Sequence, residues 1–256
     1  MAKKFSDLFN VKKPIIGVIH LAGEDSYCRI SRALEEISIF EKEGIDGAIV
    51  EDYGRRSTFQ DVVGTLDKLS KIENKIVLGV NVLGNPYSGF ELANLFGARF
   101  VKFDNIQTPG MDLRFYNEMR SMSHDVSVLG GVRFKYAMPS GNSLEADLKE
   151  GMSRCEAIVT TGEGEQFHES KFWNPIQEGL RAGRIETPME KLIEFRKIMG
   201  NYPLIIGAGV AASNVYEQLS VADGAIVGSY FKNGNTENPV DAKRVRELMS
   251  EVVKLR

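Results

Sequence analysis

The residues able to do chemistry gather at the ends of apolar runs. His20 closes "PIIGVIHL" (14–21), Glu51 and Asp52 close "GAIVED" (47–52), and Asn81 sits near the end of "KIVLGVNV" (75–82). Lys102 and Asp104 end "ARFVKFDN" (98–105), Arg133 and Lys135 end or follow "VSVLGGVRF" (126–134), and Thr160 and Thr161 stand in "CEAIVTTG" (155–162). If these runs are strands, alternation puts Lys102 and Asp104 on one face, and likewise Arg133 and Lys135. A carboxylate beside an ammonium forms an acid–base pair with shifted pKa values, and a lysine in an apolar enclosure can form a Schiff base. Of the three histidines only His20 ends an apolar run; His124 reads as surface, and His168 falls in a long insertion. His20, Glu51, Lys102, Asp104 and Lys135 are therefore the candidate acids, bases or electrophiles. Glu51, Asp52 and Asp104 could also hold Mg²⁺ with a substrate phosphate, although nothing requires it. No H-x-x-x-H, C-x-x-C or EF-hand spacing is present, so a built-in zinc or calcium site is not expected, nor is any other cofactor.

A second kind of chemistry lies in "IIGAGVAASNV" (205–215), where an apolar run ends in Gly207 and Gly209, and in "GAIVGSYF" (224–231), which carries Gly228 and Ser229. Glycines let an oxyanion approach backbone N–H groups, and the first turn of a following helix offers unpaired donors and partial positive charge. Asn81, Gly207, Gly209, Gly228 and Ser229 are thus the candidate ligand or phosphate contacts. Two plain tight turns are the competing reading. A Rossmann site fits worse, because "GAGVAA" lacks the full G-x-G-x-x-G and too little chain follows it.

These residues need a scaffold that brings strand ends together. The remaining runs, "PLIIGAGV" (203–210) among them, bring the count to eight, each short, apolar and rich in Val and Ile, as parallel strands covered on both faces require. Segments of helical spacing intervene: Ile30, Ala33, Leu34 and Ile37 share one face, and so do Val245, Leu248, Met249 and Val252. Helix starts are read at "STFQ" (57–60), at "TPME" (187–190) with Thr187 as N-cap, and at "NPVD" (238–241) with Asn238 as N-cap. Strand–helix alternation of this kind is that of a single (β/α)₈ TIM barrel over residues 1–256, with a doubly wound sheet as the competitor. In a barrel, active sites occupy the C-terminal strand ends, and the loops after strands seven and eight often bind phosphate. The stretch 163–186 after strand six is long for a connection and carries Trp173, Phe167 and Phe172; it reads as a packed excursion, a lid or an oligomer contact.

A net charge of −3 gives no general basic footprint for nucleic acid, and no apolar run is long enough to span a membrane. The two cysteines, Cys28 and Cys155, form no disulfide framework and read as small buried apolar residues. A cytoplasmic location is expected.

The pieces "PIIGVIHL", "GIDGAIVEDYG", "LGVNVLGN", "IIGAGVAASNV", "DGAIVGSYFKNGNTENPVD" and the following "RV" occur in order from residue 14 to residue 245. Together they resemble the BtpA family of photosystem I biogenesis and SgcQ-like proteins. The resemblance implies a barrel of the ribulose-phosphate-binding type, soluble or peripheral to a membrane. It leads to the expectation of a small phosphorylated ligand, with lyase or isomerase chemistry if the barrel is catalytic. Support for assembly of another complex is the alternative. The sequence departs from the family pattern at "AGEDSYCR", at Arg55, at "KFDN" and at Tyr136, all near the expected mouth.

Overall fold

A computed structural model describes residues 4–53, 56–135, 137, 139–162 and 186–256. The strands are β1 (Ile15–His20), β2 (Gly47–Glu51), β3 (Val77–Asn81), β4 (Phe100–Phe103), β5 (Ser127–Gly131), β6 (Ala157–Thr160), β7 (Leu204–Ile206) and β8 (Gly224–Val227). All neighbours are parallel, and β8 pairs back onto β1 through Ile226 and Ile16, which closes the barrel. The helices are α1 (Ser26–Lys42), α2 (Phe59–Ser70), α3 (Ser88–Phe96), α4 (Leu113–Ser121), α5 (Leu144–Met152), α6 (Met189–Met199), α7 (Val215–Val221) and α8 (Ala242–Val252). The long connection between β6 and α6 is present as expected, but residues 163–185, with Trp173, Phe167, Phe172 and His168, lie outside the described residues, as do Arg55 and Tyr136.

The period-two pleat sorts side chains into two cores. Ile16, Val18, Ile49, Phe100, Leu129, Ala157, Val159, Ile205 and Ile226 fill the barrel interior. Ile15, Ile19, Val50, Val101, Ile158 and Ile206, from the other parity, meet the helices. Phe5, Leu8 and Phe9 join the inner core from the N-terminal side, with the Phe9 and Phe100 rings 6.3 Å apart, so apolar side chains fill the lower barrel. The inner parity continues to His20, Glu51, Asn81 and Lys102. The same rule that packs the core thereby aims the polar residues inward at the C-terminal end.

The apolar runs overestimate strand length at the mouth. β7 stops at Ile206 and β8 at Val227, while Ser229–Lys232 forms a 3₁₀ turn. The loops there are themselves buried, with Val210 3% and Phe231 0% exposed, so apolar character continues after the ladder ends. Three helix starts are also displaced. The Thr58 side chain caps α2, in a reciprocal box with Asp61. Pro188, not Thr187, is the N-cap position of α6, and the buried Thr187 hydroxyl faces the Ala208 carbonyl instead. Asp241, not Asn238, caps α8. In each case the cap lies one to three residues later; at α6 and α8 tertiary contacts claim the first candidate, Asn238 Nδ2 donating to the Lys232 carbonyl at 3.2 Å in the latter.

One buried ion pair ties the last loop to the first helix. Lys232, in the turn after β8, is 0% exposed, and its Nζ lies 2.7 Å from both carboxylate oxygens of Glu36 on α1. Glu36 also accepts the Val240 N–H at 3.2 Å and Arg32 Nε at 3.0 Å, and Arg32 in turn donates to the carbonyls of Glu237 and Asn238. Lys232→Met should lower stability by about 3–5 kcal/mol in denaturant unfolding, because it leaves Glu36 buried with its charge uncompensated on that side. Adding Glu36→Gln should restore part of the loss; a double variant no more stable than Lys232→Met would show that the charge imbalance is not the cause.

Candidate functional site

The C-terminal mouth holds a cavity of about 340 Å³. His20, Glu51, Lys102, Asp104 and Lys135 line it on one side, and Gly207, Gly209, Gly228 and Ser229 on the other. Of the candidate acid–base and phosphate-contact residues all but Asn81 face this one space, and Asn81 lies buried behind it, bonded to two that do.

Strand register explains the contacts. His20 is paired with Glu51, and Glu51 with Asn81, on three adjacent strands. Side chains at one level and of one parity must meet. His20 Nε2 lies 3.8 Å from Glu51 Oε2, and Asn81 Nδ2 donates to Glu51 Oε1 at 2.5 Å and to Asp104 Oδ1 at 3.2 Å. Lys102 Nζ pairs with the same Asp104 oxygen and stands 4.6 Å from the centre of the Phe134 ring, a cation–π position. Lys102 and Asp104 thus share a face as alternation requires.

Arg133 and Lys135 do not. β5 ends at Gly131, and Arg133 takes a left-handed φ of 50°, so the parity of the strand is lost beyond it. Arg133 turns outward to Asp147 on α5, and Lys135 alone reaches the cavity. Thr160 and Thr161 are buried, but the Thr161 hydroxyl accepts the Lys135 N–H at 2.8 Å and supports the loop rather than lining the cavity. Asp52 is likewise engaged in backbone support, accepting the Leu83 N–H at 2.8 Å.

Burial dominates the electrostatics. It pushes the Glu51 carboxyl up to about 7, against the pull of Lys102. It brings the Lys135 ammonium down to about 8, an effect opposed by Asp104 and reinforced by Lys102. His20 is held well below its ordinary 6.5 by burial and then by Lys232, Lys135, Arg32 and Lys102, so its ring is neutral near pH 7. Its Nδ1 is buried with no hydrogen-bond partner among the described residues. Near neutral pH the cavity therefore holds a neutral imidazole, a carboxyl that exchanges its proton and a lysine that deprotonates readily.

The glycines on the opposite rim have separate causes. A Cβ on Gly207 would stand 2.8 Å from Val159 Cγ1, and its N–H is already bonded to the Thr160 carbonyl at 2.7 Å, so Gly207 serves packing and contributes no donor to an anion. Gly209 has φ 70°, which disfavours any other residue. Asn214 holds this turn through its side chain, accepting the Ala211 N–H at 2.8 Å and donating to the Gly209 carbonyl at 2.9 Å. A Cβ on Gly228 would lie 2.6 Å from His20 Cε1, so the absent side chain makes room for the imidazole.

Several lining residues were not among the sequence candidates: Tyr53, Phe134, Leu83 and Thr236. The Tyr53 ring packs 5.2 Å from His20. The Thr236 hydroxyl is buried with no hydrogen-bond partner among the described residues. Of the cysteines, Cys155 is buried, but Cys28 is exposed because it falls in the first turn of α1, where its N–H meets the Asp25 cap at 2.7 Å. Among the described residues no cluster of His, Cys, Asp and Glu is arranged to hold a metal ion, and no helix is long and apolar enough to cross a membrane.

Comparison with known proteins places the chain alongside one family. The BtpA family model matches residues 174–254, a span that includes Gly207, Gly209, Gly228 and Ser229. An uncharacterised protein of Pyrococcus furiosus is 28% identical over 95% of this chain and 96% of its own length. The photosystem I biogenesis protein BtpA of Synechocystis is 26% identical over 96% and 91%. A putative sgc region protein, SgcQ, of Escherichia coli is 26% identical over 71% of this chain and 66% of its own. The BtpA resemblance read from the sequence is thus met by the family model over residues 174–254 and by the Synechocystis relative over 96% of the chain. Solved barrels share the fold at low identity. Phosphoribosyl anthranilate isomerase of Thermus thermophilus superposes with TM-score 0.63 at 12% identity, over 95% of this chain and 100% of that one. The 2-keto-3-deoxy-6-phospho-gluconate aldolase of Zymomonas mobilis gives 0.61 at 12%, over 97% and 96%.

Because the folded Glu51 carboxyl titrates near 7 rather than at its ordinary 4.5, its contribution to stability is full below about 4.5 and is lost as pH rises through about 7. The Glu51→Gln variant should therefore gain stability relative to the wild type across that window, by on the order of 3 kcal/mol. Denaturant unfolding of both proteins at pH 4.5, 6 and 8 measures it; a difference independent of pH would mean that Glu51 ionises as an ordinary carboxylate.

Proposed function

We propose that this BtpA-like barrel binds a small phosphorylated metabolite at its C-terminal mouth and acts on it by proton transfer, as an isomerase or lyase does. The observation that carries the reading is a single cavity with two unlike walls. One wall holds the titrating set of His20, Glu51, Lys102, Asp104 and Lys135. The other is the backbone rim of Gly209, Gly228 and Ser229. A phosphate suits that rim because short charge-assisted bonds from N–H groups and the Ser229 hydroxyl can converge on it. The positive charge of Lys102 and Lys135 favours an anionic guest, and the shifted carboxyl of Glu51 suits acid–base work near neutral pH. The names of the two solved barrels, an isomerase and an aldolase of phosphorylated compounds, agree with this reading at the level of fold.

Neither the proton-transfer set nor the rim needs a metal; Asp104 is already engaged by Lys102 and Asn81. The alternative, a non-catalytic barrel that supports assembly of a complex, calls for an apolar docking face in place of an organised polar cavity, and the polar cavity favours the first reading.

Gly209 is a poor probe, since any substitution strains its turn whether or not a ligand binds. Ser229→Ala is cleaner. Calorimetric titration with inorganic phosphate and a panel of sugar phosphates should show binding to the wild type and a loss of roughly 1.5–3 kcal/mol in the variant. Binding equal in both proteins, or none to a folded wild type, would mean that the rim serves only its turns.

A further inference from the structure

We infer that Lys135 is a Schiff-base nucleophile, and that the ligand is a phosphorylated ketose or 2-keto acid whose carbonyl carbon lies against Lys135 while its phosphate occupies the Gly209–Ser229 rim. The inference rests on the function proposed above and names its substrate class.

Two lysines line the cavity, and their surroundings differ. Lys102 is tied to the cavity wall: its Nζ is paired with Asp104 and lies over the face of Phe134. Lys135 lies beyond the end of β5, on a backbone anchored by the Thr161 hydroxyl, and it shares the cavity with the Lys102 charge. Burial and that neighbouring charge both favour its neutral form, which is how lysine nucleophiles are activated. Division of labour follows: the Lys102 side chain, seated against Asp104, attracts the anionic substrate, while Lys135 supplies the lone pair.

The chemistry balances with the groups at hand. The neutral Lys135 amine attacks the carbonyl carbon, and the C=O π electrons become a hydroxyl on a carbinolamine after proton transfer from nitrogen to oxygen. Protonation of that hydroxyl expels water and leaves a protonated imine. The imine then takes up an electron pair when a base removes a proton from the adjacent carbon, or when the bond to a carbon fragment breaks and that fragment, its hydroxyl deprotonated, leaves as a carbonyl compound; the resulting enamine is protonated at carbon to give the final imine. Glu51 is suited to carry these protons, since near neutral pH both its protonation states are populated, and the neutral His20 beside it at 3.8 Å can accept one. Hydrolysis of the final imine regenerates the amine.

The test is reductive trapping on the full chain. The protein is incubated separately with dihydroxyacetone phosphate and with pyruvate, each in the presence of sodium borohydride, which delivers hydride to the imine carbon and leaves a stable secondary amine. Intact-mass measurement and peptide mapping locate the adduct. A single adduct on Lys135 is expected, reduced at least tenfold in Lys135→Met and Lys135→Arg, with folding checked by circular dichroism. Excess inorganic phosphate should slow trapping by dihydroxyacetone phosphate and leave trapping by pyruvate unchanged. An adduct on Lys102, labelling spread evenly over surface lysines, or no adduct in the wild type would overturn the inference whatever the variants do. The two readings fail differently: trapping by dihydroxyacetone phosphate at Lys135 that excess phosphate does not slow would remove the rim's role and keep the nucleophile, whereas phosphate binding without trapping would do the reverse.

Discussion

The mouth of this barrel depends on charges kept out of water. The Lys232–Glu36 pair is the sharpest case. A fully buried ammonium is costly unless its partner is close and the partner's remaining lone pairs are also used. Here Glu36 answers Lys232, Arg32 and the Val240 N–H at once. Such a centre admits one arrangement of the loop after β8, because any displacement strands a charge. That loop carries Gly228 and Ser229 at its start and Thr236 further along, so the rim of the cavity inherits its position from an ion pair outside the cavity. Lys232 also acts at a distance, as the foremost charge holding the His20 ring neutral.

Closure of the sheet supplies the complementary constraint. With β8 paired to β1, the pleat of each strand has one side facing the axis, and eight strand ends converge on a narrow space. Apolar side chains fill the lower barrel, down to Phe5 and Phe9. Polar side chains of the same parity are then forced together above them, in a place poor in water. The consequence is chemical: burial raises Glu51 and lowers Lys135, and both move toward neutrality, the range in which proton transfer works best. A scaffold built by hydrophobic packing produces the shifted acidities without any further device.

The glycines show how one residue type answers different demands at neighbouring positions. Gly207 avoids Val159, Gly209 adopts a positive φ, and Gly228 yields space to His20. In a linear sequence the three look alike. The first has no N–H to spare for an anion, and the last shapes the imidazole's pocket.

Much of this was legible in the sequence. Eight apolar runs of strand length separated by amphipathic segments determine the barrel, because the pattern depends on local periodicity and on short connections. The positions of His20, Glu51, Lys102 and Asp104 followed from strand ends and parity alone, since alternation holds as long as the ladder lasts. Where the ladder stops, the sequence loses its rule. The left-handed φ at Arg133 sent that side chain out to Asp147 and left Lys135 to the cavity, which alternation had placed together. Helix starts slid by one to three residues, at α6 and α8 because loop contacts compete with local capping. The buried Lys232–Glu36 pair spans 196 positions and carries no local signature, and neither Phe134 beneath Lys102 nor the Thr236 hydroxyl has one. Local periodicity thus determined which residues reach the mouth. Only the tertiary structure, through burial and long-range charge pairing, decided which of them meet, which ionise, and which merely hold the turns in place.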